Sequence, residues 1–421
     1  MTSSRDIGQG RFLPLHLGGP GSRAPRGWTW KRLTDLARLE SGHTPSRTRR
    51  DWWAGEIPWI ALPDIRGLDG RRAIETLESI NEEGIRNSSA RILPEGTVVM
   101  SRTASVGFVT VMGSPMATSQ DFVNWVCGPE LHPTFLMHLL IRAREILGSL
   151  SSGAVHKTIY VPTVQQFWVC VPDVKRQIEV ARELSEILAA ARSTLDVARE
   201  RMADVARLKD CVLREAFVEA DGTPWPRHPL RALAEFISDG THQPPSFATA
   251  GVPFLFVGNI VGGEVDFVTT KHVSLETFEE LTRRRRPERG DVLYSAVGSF
   301  GVAVVVKADR AFTFQRHIAH IRLRPDIADP NFVAAYINSP AGRRHSESVA
   351  MGGAQRTVTL GSLASFPMPV PDLVEQRQIV GRLEARFRAI AAVHEAVKST
   401  QGALEALPGA LLRRAFEDTA A

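Results

Sequence analysis

Between Val174 and Glu219 apolar positions recur in alternating steps of four and three: Leu184, Leu188, Ala191, Leu195, Ala198, Met202 and Val205. That spacing lays one seam along a helix and is the pattern of a coiled-coil strand. No proline or glycine interrupts the stretch, and Arg, Glu, Asp and Lys fill most of its other faces. The seam is expected to continue, after a stutter, through Leu208 and Val212. At about 1.5 Å per residue the helix would span roughly 65 Å, the length of a spacer or an assembly strut. A second stretch, Val374 to Asp418, follows the same design less regularly, because Gly402 and the Pro408-Gly409 pair should loosen or kink it. The two stretches end alike, Leu213-Arg214-Glu215-Ala216-Phe217 against Leu412-Arg413-Arg414-Ala415-Phe416. Each follows an apolar run closed by proline and aspartate, Pro172-Asp173 and Pro371-Asp372.

The remaining sequence reads as mixed helix and strand. Trp30 to Leu39 has a short helix or strand pattern, closed by a turn through Ser41-Gly42-His43-Thr44-Pro45. Ile57 to Leu62, Thr97 to Ser101, Phe108 to Val111 and Thr118 to Val126 read as strands, and Pro133 to Leu150 as a helix. Much of this order returns. Val252-Pro253-Phe254-Leu255-Phe256 stands 195 residues after Ile57-Pro58-Trp59-Ile60-Ala61, and Gly290 to Ser295 stands 194 after Gly96 to Ser101. Gly301 follows Gly107 at that same interval. Ser119-Gln120-Asp121 matches Phe314-Gln315-Arg316, and Gly153-Ala154 matches Gly353-Ala354. A near-constant interval through several motifs marks an internal duplication.

The expected fold is α/β (α+β): two duplicated domains separated by two long helices that pair as an antiparallel coiled coil in a pseudo-twofold arrangement. Its segments are a mobile N-terminal tail (1–27), a first domain (28–172), a long helix (173–219), a second domain (220–371) and a second long helix (372–418). The loops Arg66 to Ser89 and Gly262 to Pro287 are the least alike between copies, which is how one frame carries two different readouts.

Composition narrows the function. The chain is 43% apolar and 23% charged, ordinary for a globular protein. Cys127, Cys170 and Cys211 show no CxxC spacing and read as reduced core thiols. With no membrane-length apolar run and no signal-like start, a cytoplasmic protein is expected. The net charge of +5 is carried largely by arginine clusters at Arg47 to Arg50, Arg71-Arg72, Arg283 to Arg286 and Arg343-Arg344. One such cluster is usually a solvated loop, but several in a repeated frame point to a polyanionic partner. Sequence signatures of phosphate-cradling loops, dinucleotide folds, serine-hydrolase elbows and adenine methyltransferases are absent. His317 and His320 lie three apart on an alternating run and so face opposite ways. Asp173 and Lys175 lack the further carboxylates that a nuclease metal site requires.

The order of these motifs resembles the DNA-specificity subunit of type I restriction–modification systems, from about Trp28 to Asp418. The resemblance rests on Ser41-Gly42-His43-Thr44-Pro45-Ser46, Ile57-Pro58-Trp59-Ile60 with Asp64-Ile65, and the two glycine-led strands at Gly96 and Gly290. It rests also on Asp239-Gly240-Thr241-His242-Gln243-Pro244-Pro245 and Pro371-Asp372-Leu373-Val374-Glu375-Gln376. The first helix start, Pro172-Asp173-Val174-Lys175-Arg176-Gln177, departs from the P-x-x-EQ form.

The resemblance implies a non-catalytic chain whose two target recognition domains each read half of a split DNA site. The helices would set the unread gap and dock two copies of an adenine-N6 methyltransferase subunit that uses S-adenosylmethionine. A restriction subunit, where present, would use ATP and magnesium. None of these cofactors need touch this chain. Candidate DNA contacts are Arg47, Arg49, Arg50 and Arg102 in the first domain, and Arg283, Arg284, Arg285, Arg286, Arg316 and Arg356 in the second. Gln120 and Gln315, read as equivalent, either pair with adenine or satisfy nearby backbone groups. Thr241, His242 and Gln243 lie in a proline-rich turn suited to a groove. The alternative is a coiled-coil protein scaffold whose arginines are merely solvated; an enzyme with an unrecognised site is a third reading.

Overall fold

The computed structural model describes residues 12–151, 157–217, 225–353 and 355–417. The chain divides into two compact units, one of residues 1–197 with 400–421 and the other of 198–399. The dividing lines fall inside the two long helices, not at their ends.

The first unit is built on a five-stranded sheet in the order Ala37–Ser41, Phe122–Cys127, Val98–Ser101, Val109–Met112, Arg72–Ala73. Val98 to Ser101 and Val109 to Met112 are buried on both faces, so they are nearly continuous in apolar residues instead of alternating. Phe135, Leu136, Leu139 and Leu140 of the helix Pro133–Arg142 pack into the same core. The single helix expected from Pro133 to Leu150 is two, Pro133–Arg142 and Arg144–Leu150, because Ala143 leaves helical geometry at ψ 6°. A smaller sheet places Ile57–Ile60 between Glu78–Ile80 and Ala117–Thr118, the latter parallel. The strand expected from Thr118 to Val126 is therefore interrupted: Ser119 to Asp121 carry the chain from one sheet into the other.

A third sheet corrects the expected tail. Residues 1–11 lie outside the described residues, but Leu15–Leu17 pair antiparallel with Phe167–Val171, which also pair with Thr29–Arg32. Leu15 is buried, and Cys170 N donates to Pro14 O at 2.9 Å. One inward leucine and a run of main-chain bonds hold this segment in the fold.

The second unit repeats the design. Its main sheet has the order Ala234–Asp239, Ile318–Leu323, Val292–Ser295, Ala303–Val305, and a smaller sheet places Val252–Leu255 between His272–Val273 and Thr313–Phe314. Gly107 N donates to Ser101 O and Gly301 N to Ser295 O, both at 2.9 Å, and the two glycines have φ of 83° and 90°. Only glycine adopts that turn without steric cost. Gly153, Ala154 and Ala354, matched in sequence, lie outside the described residues.

The long helices span Val174–Ala216 and Leu373–Glu417. The second runs as one helix through Gly402 and Pro408. In the first, Leu184, Leu188, Ala191, Ala198 and Val205 are buried, while Leu195 and Met202 are half-buried. Leu208 does not continue the seam: it is 47% exposed, against 7% for Val212. Val212 stands seven residues after Val205, so the heptad carries on with Lys209 in the intervening seam place and no stutter is needed. Cys211 is exposed, leaving Cys170 as the fully buried thiol and Cys127 half-buried. Burial pushes the Cys127 and Cys170 thiols up to about 12.

Within the first unit Val180, Leu184 and Leu188 share a core with Leu412 and Phe416. Within the second, Val205, Val212 and Leu213 share one with Ile379, Leu383 and Ile390. In each unit the opening turns of one helix thus pack with the closing turns of the other, as in antiparallel pairing.

The matched endings have a packing reason. Phe416 sits 5.3 Å from Phe135 and 6.2 Å from Trp28, and Phe217 sits 5.5 Å from Phe332 and 5.1 Å from Tyr336, ring centre to ring centre. The helix starts are also alike despite their different sequences. Gln177 Nε2 donates to Glu130 O (3.1 Å) and Pro172 O (2.9 Å), and its Oε1 accepts from His132 N (2.9 Å). Gln376 makes the same three bonds to Ile327 O, Pro371 O and Asp329 N. Asp173 and Asp372 accept from Arg176 N and Glu375 N, so each is a helix cap. No helix among the described residues is long and apolar enough to cross a membrane. In urea denaturation, Leu184→Ala should cost about 2–3 kcal/mol, whereas Leu208→Ala should stay within about 0.5 kcal/mol.

Candidate nucleic-acid interface

At one end of each main sheet the same main-chain bonds gather four loops. His43 N donates to Thr118 O (2.9 Å) where Thr241 N donates to Phe314 O (3.1 Å). Arg102 N donates to Asp121 O (2.8 Å) where Ala296 N donates to His317 O (2.9 Å). Ala104 N donates to Lys157 O (3.0 Å) where Gly298 N donates to Arg356 O (3.1 Å). The first contact demands glycine just before it: a Cβ would lie 2.1 Å from Ser119 O at Gly42 and 2.2 Å from Phe314 O at Gly240. Ala104 takes the left-handed conformation (φ 59°) that Gly298 takes at φ 73°.

These bonds revise one expected equivalence. Ser119 N donates to Ile60 O (3.0 Å) as Gln315 N donates to Leu255 O (3.1 Å). Gln315 therefore corresponds to Ser119, and Arg316 corresponds to Gln120. The two glutamines are one position out of step, because the shared feature is the main-chain bond and not the side chain. Gln120 and Arg316 are the exposed pair; Gln315 is half-buried.

In the first unit the turn side chains are held in place. Gln120 accepts from the Thr44 hydroxyl, and Arg102 Nε donates to Gln120 O at 3.1 Å. Beside them Trp59 Nε1 donates to His43 O (3.2 Å), and the Arg47 guanidinium lies 3.7 Å from the Trp53 ring centre and 5.0 Å from that of Trp59. Glu78 grips Arg47 through both carboxylate oxygens, which raises the Arg47 pKa and lowers that of Glu78. Arg49 is backed by Trp52 at 4.6 Å and held by Asp51 (3.0 and 2.7 Å). Arg50 stands exposed at the start of a short helical turn. Exposed pairs of this kind are weak, so a phosphate can displace the carboxylate from a guanidinium already oriented by an indole.

In the second unit Asp239, Thr241, His242, Arg284 and Arg285 line one cleft of about 460 Å³. Asp239, Arg316, His317, Gln355 and Thr357 line another of about 330 Å³. His242 Nε2 contacts Asp239 at 2.9 Å, and the Thr241 hydroxyl donates to Gln243 O at 2.9 Å. The arginine run does not act as one patch. Arg285 stacks over Phe236 at 4.9 Å, whereas Arg286 turns to Glu279 and Phe278, and Arg283 stands exposed at a helix end. Arg356 lies over Phe300 at 5.1 Å and donates to Glu347 O at 2.6 Å. Of the two other clusters, Arg343 pairs with Asp210 and Arg72 with Glu95. Lys157, absent from the expected candidates, takes the same place in the frame as Arg356, and the lysine/arginine-threonine pairs Lys157-Thr158 and Arg356-Thr357 carry that equivalence in the sequence.

Under this surface Asp291 is buried between His320 Nε2 (2.7 Å) and the Arg322 guanidinium (Nε and Nη2, both 2.9 Å). Arg322 Nη2 also donates to Arg286 O at 2.8 Å, tying the arginine loop to the sheet. Burial pushes the Asp291 carboxyl up, but bonds from His320, Arg322 and Glu288 N together pull it down to about 2. His320 is a structural residue of this network, whereas His317 sits in the turn before the strand and lines the second cleft.

Two copies of one mixed α/β frame, each bearing guanidinium groups backed by aromatic rings on an open loop surface, define a duplicated binding protein with a polyanion-compatible face. The type I restriction modification DNA specificity domain matches residues 25–195 and 256–399, and the chain belongs to that family. It is 22% identical over 420 residues to the EcoKI specificity subunit of Escherichia coli K12, covering 94% of this chain and 89% of that one. It is 23% identical to the Escherichia coli EcoBI specificity subunit, covering 67% of this chain and 64% of that one. The match to the MjaIX specificity subunit of Methanocaldococcus jannaschii is 26% identical and spans 39% of this chain and only 38% of that relative. Among solved structures, a chain from a study of assembly and conformational transition in a type I R-M system superposes with a TM-score of 0.73 at 19% identity, covering 95% of this chain and all (100%) of that one. The HsdS subunit from Thermoanaerobacter tengcongensis gives 0.60 at 20% identity, covering 94% and 97%.

The Asp291 network carries a pH signature. A carboxyl depressed in the folded state adds stability above its unfolded pKa near 4, and that stability is lost as pH falls toward 2. Asp291→Asn should cost about 2 kcal/mol at pH 7, by urea unfolding, with the gap to the parent closing between about pH 4 and 2. A gap that stays constant across that range would show that the charge of Asp291 is not what stabilises it.

Proposed function

We infer that this chain is the sequence-specific DNA-binding subunit of a type I restriction–modification assembly. It recognises a bipartite site and directs adenine-N6 methyltransferase subunits to it. The observation that carries this reading is the duplicated loop frame: the same main-chain bonds hold unlike side chains, exposed Gln120 against exposed Arg316, half-buried His43 against half-buried Thr241 and half-buried Arg102 against buried Ala296. A binding frame that is kept while its outward residues differ suits two half-sites of different sequence. Family membership and the type I subunits among its relatives support the same assignment.

On this reading the chain does no chemistry itself. Two methyltransferase subunits supply S-adenosylmethionine-dependent transfer, and a restriction subunit, where the system has one, supplies ATP- and magnesium-dependent cleavage. The long helices serve as the spacer that fixes the gap between half-sites, and the assembly works in the cytoplasm, where its DNA is.

Mapping modified bases in the host genome with and without the gene tests this. A split motif with a fixed gap should lose its N6-methyladenine on deletion and regain it on complementation. Unchanged methylation, with the gene and its methyltransferase demonstrably expressed, would remove the specificity reading. The assembled subunits should also bind the motif with an affinity that falls steeply as salt rises. A scaffold docking through the apolar seam would show no such dependence on salt or DNA sequence.

A further inference from the structure

We propose that Lys157 and Arg356 form an equivalent phosphodiester contact in each unit, while Gln120 and Arg316, in the neighbouring loop of the same frame, are the unlike readers of base identity. This rests on the reading of the chain as a DNA-specificity subunit and divides its interface into two kinds of residue.

The comparison between the two units supplies the argument. Lys157 O and Arg356 O accept the corresponding main-chain bonds from Ala104 N and Gly298 N, and Ile159 N and Val358 N then donate to Arg102 O and Ala296 O at 2.9 Å each. Lys157 and Arg356 thus occupy one place in the frame, and both are exposed. At the other places of the frame the chemistry changes between units: exposed Gln120 answers to exposed Arg316, half-buried Arg102 to buried Ala296, and half-buried His43 to half-buried Thr241. At this place alone among those four the charge is kept. Half-sites of different sequence share their phosphates and not their base edges, so a retained cation fits the common ligand.

The side chains favour the same assignment. A lysine ammonium is a point charge with rotatable donors, suited to a phosphate oxygen and poorly suited to a two-pronged base contact. Arg356 spends an Nη2 donor on Glu347 O and lies over Phe300, which leaves its charge available but compromises its fork. A phosphate oxygen is a ligand both can serve alike. Gln120 and Arg316 differ in the sense that matters for bases: glutamine matches the adenine edge and arginine the guanine edge. Gln120 is oriented by Thr44, and Arg316 lines a cleft with Gln355 and Thr357. Ala104, in a left-handed conformation unusual for a residue with a side chain, holds the first of the two turns; backbone strain of this kind gathers at binding sites.

The test uses the full chain assembled with its methyltransferase and a fluorescent duplex carrying the mapped motif, followed by anisotropy across a salt series. Lys157→Ala and Arg356→Ala should each weaken binding to matched and mismatched duplexes by the same factor, and lower the magnitude of the log–log salt slope by about 0.9. Lys157→Arg and Arg356→Lys should retain the parent slope. Gln120→Arg and Arg316→Gln should instead cut discrimination at one base pair on the order of tenfold. An unchanged salt slope in both alanine variants, or a changed base preference in either, would overturn the division of labour while leaving the specificity role standing. Failure of the unaltered assembly to bind DNA at any salt would overturn the specificity role itself.

Discussion

The direction in which each long helix leaves its strand depends on one buried amide. Gln177 and Gln376 are fully buried, and each joins the proline carbonyl before the helix to the carbonyl and N–H of a loop about 45 residues earlier in sequence. Three main-chain groups, the proline carbonyl among them buried, are satisfied by a single side chain, and leaving a buried one unpaired costs about 1–3 kcal/mol. With the start fixed there and the end fixed by Phe217 or Phe416 in an aromatic cluster, each helix is secured at both ends. The apolar seam between those points adds burial but does not by itself choose the angle at which the helix begins.

The loop surface rests on a different economy. What gathers the four loops in each unit is almost wholly main chain: N–H to carbonyl bonds, a glycine that lets two backbones meet, and one left-handed turn. Side chains at the rim are oriented by neighbours, as Arg47 is by Trp53 and Glu78, but the rim does not depend on them for its path. The second unit adds a buried ionic network beneath its arginine loop. The place of His320 is taken in the first unit by Asn124, whose amide donates to the Thr118 hydroxyl at 2.9 Å. The frame thus tolerates two quite different polar cores.

Much of this was legible in the sequence because it is periodic or repeated. The heptad seam, the paired helix endings and the 194- to 195-residue intervals all survive in the structure as buried faces and matched hydrogen bonds. What could not be read depends on partners distant in sequence or on bonds indifferent to side chain. Leu15 to Leu17 is too short to announce a strand whose partner lies about 150 residues away. Matching Gln120 to Gln315 followed residue identity, while the frame follows main-chain register. Leu208 attracted the seam because it is apolar, although the period places Lys209 there. The alternation around His320 argued against a metal pair with His317 but could not show that Asp291, just before the neighbouring strand, waits to pair with it.

The unusual conformation of Ala104 and the glycines of the frame have a consequence for inheritance. Because the loop path is written into the backbone, substitutions at exposed rim positions change what the surface touches without first requiring the domain to refold. A lineage can therefore pass between recognition states through intermediates that remain folded and assembled. Selection can act on the rim one codon at a time, and the two halves can diverge independently after duplication on a shared inherited scaffold.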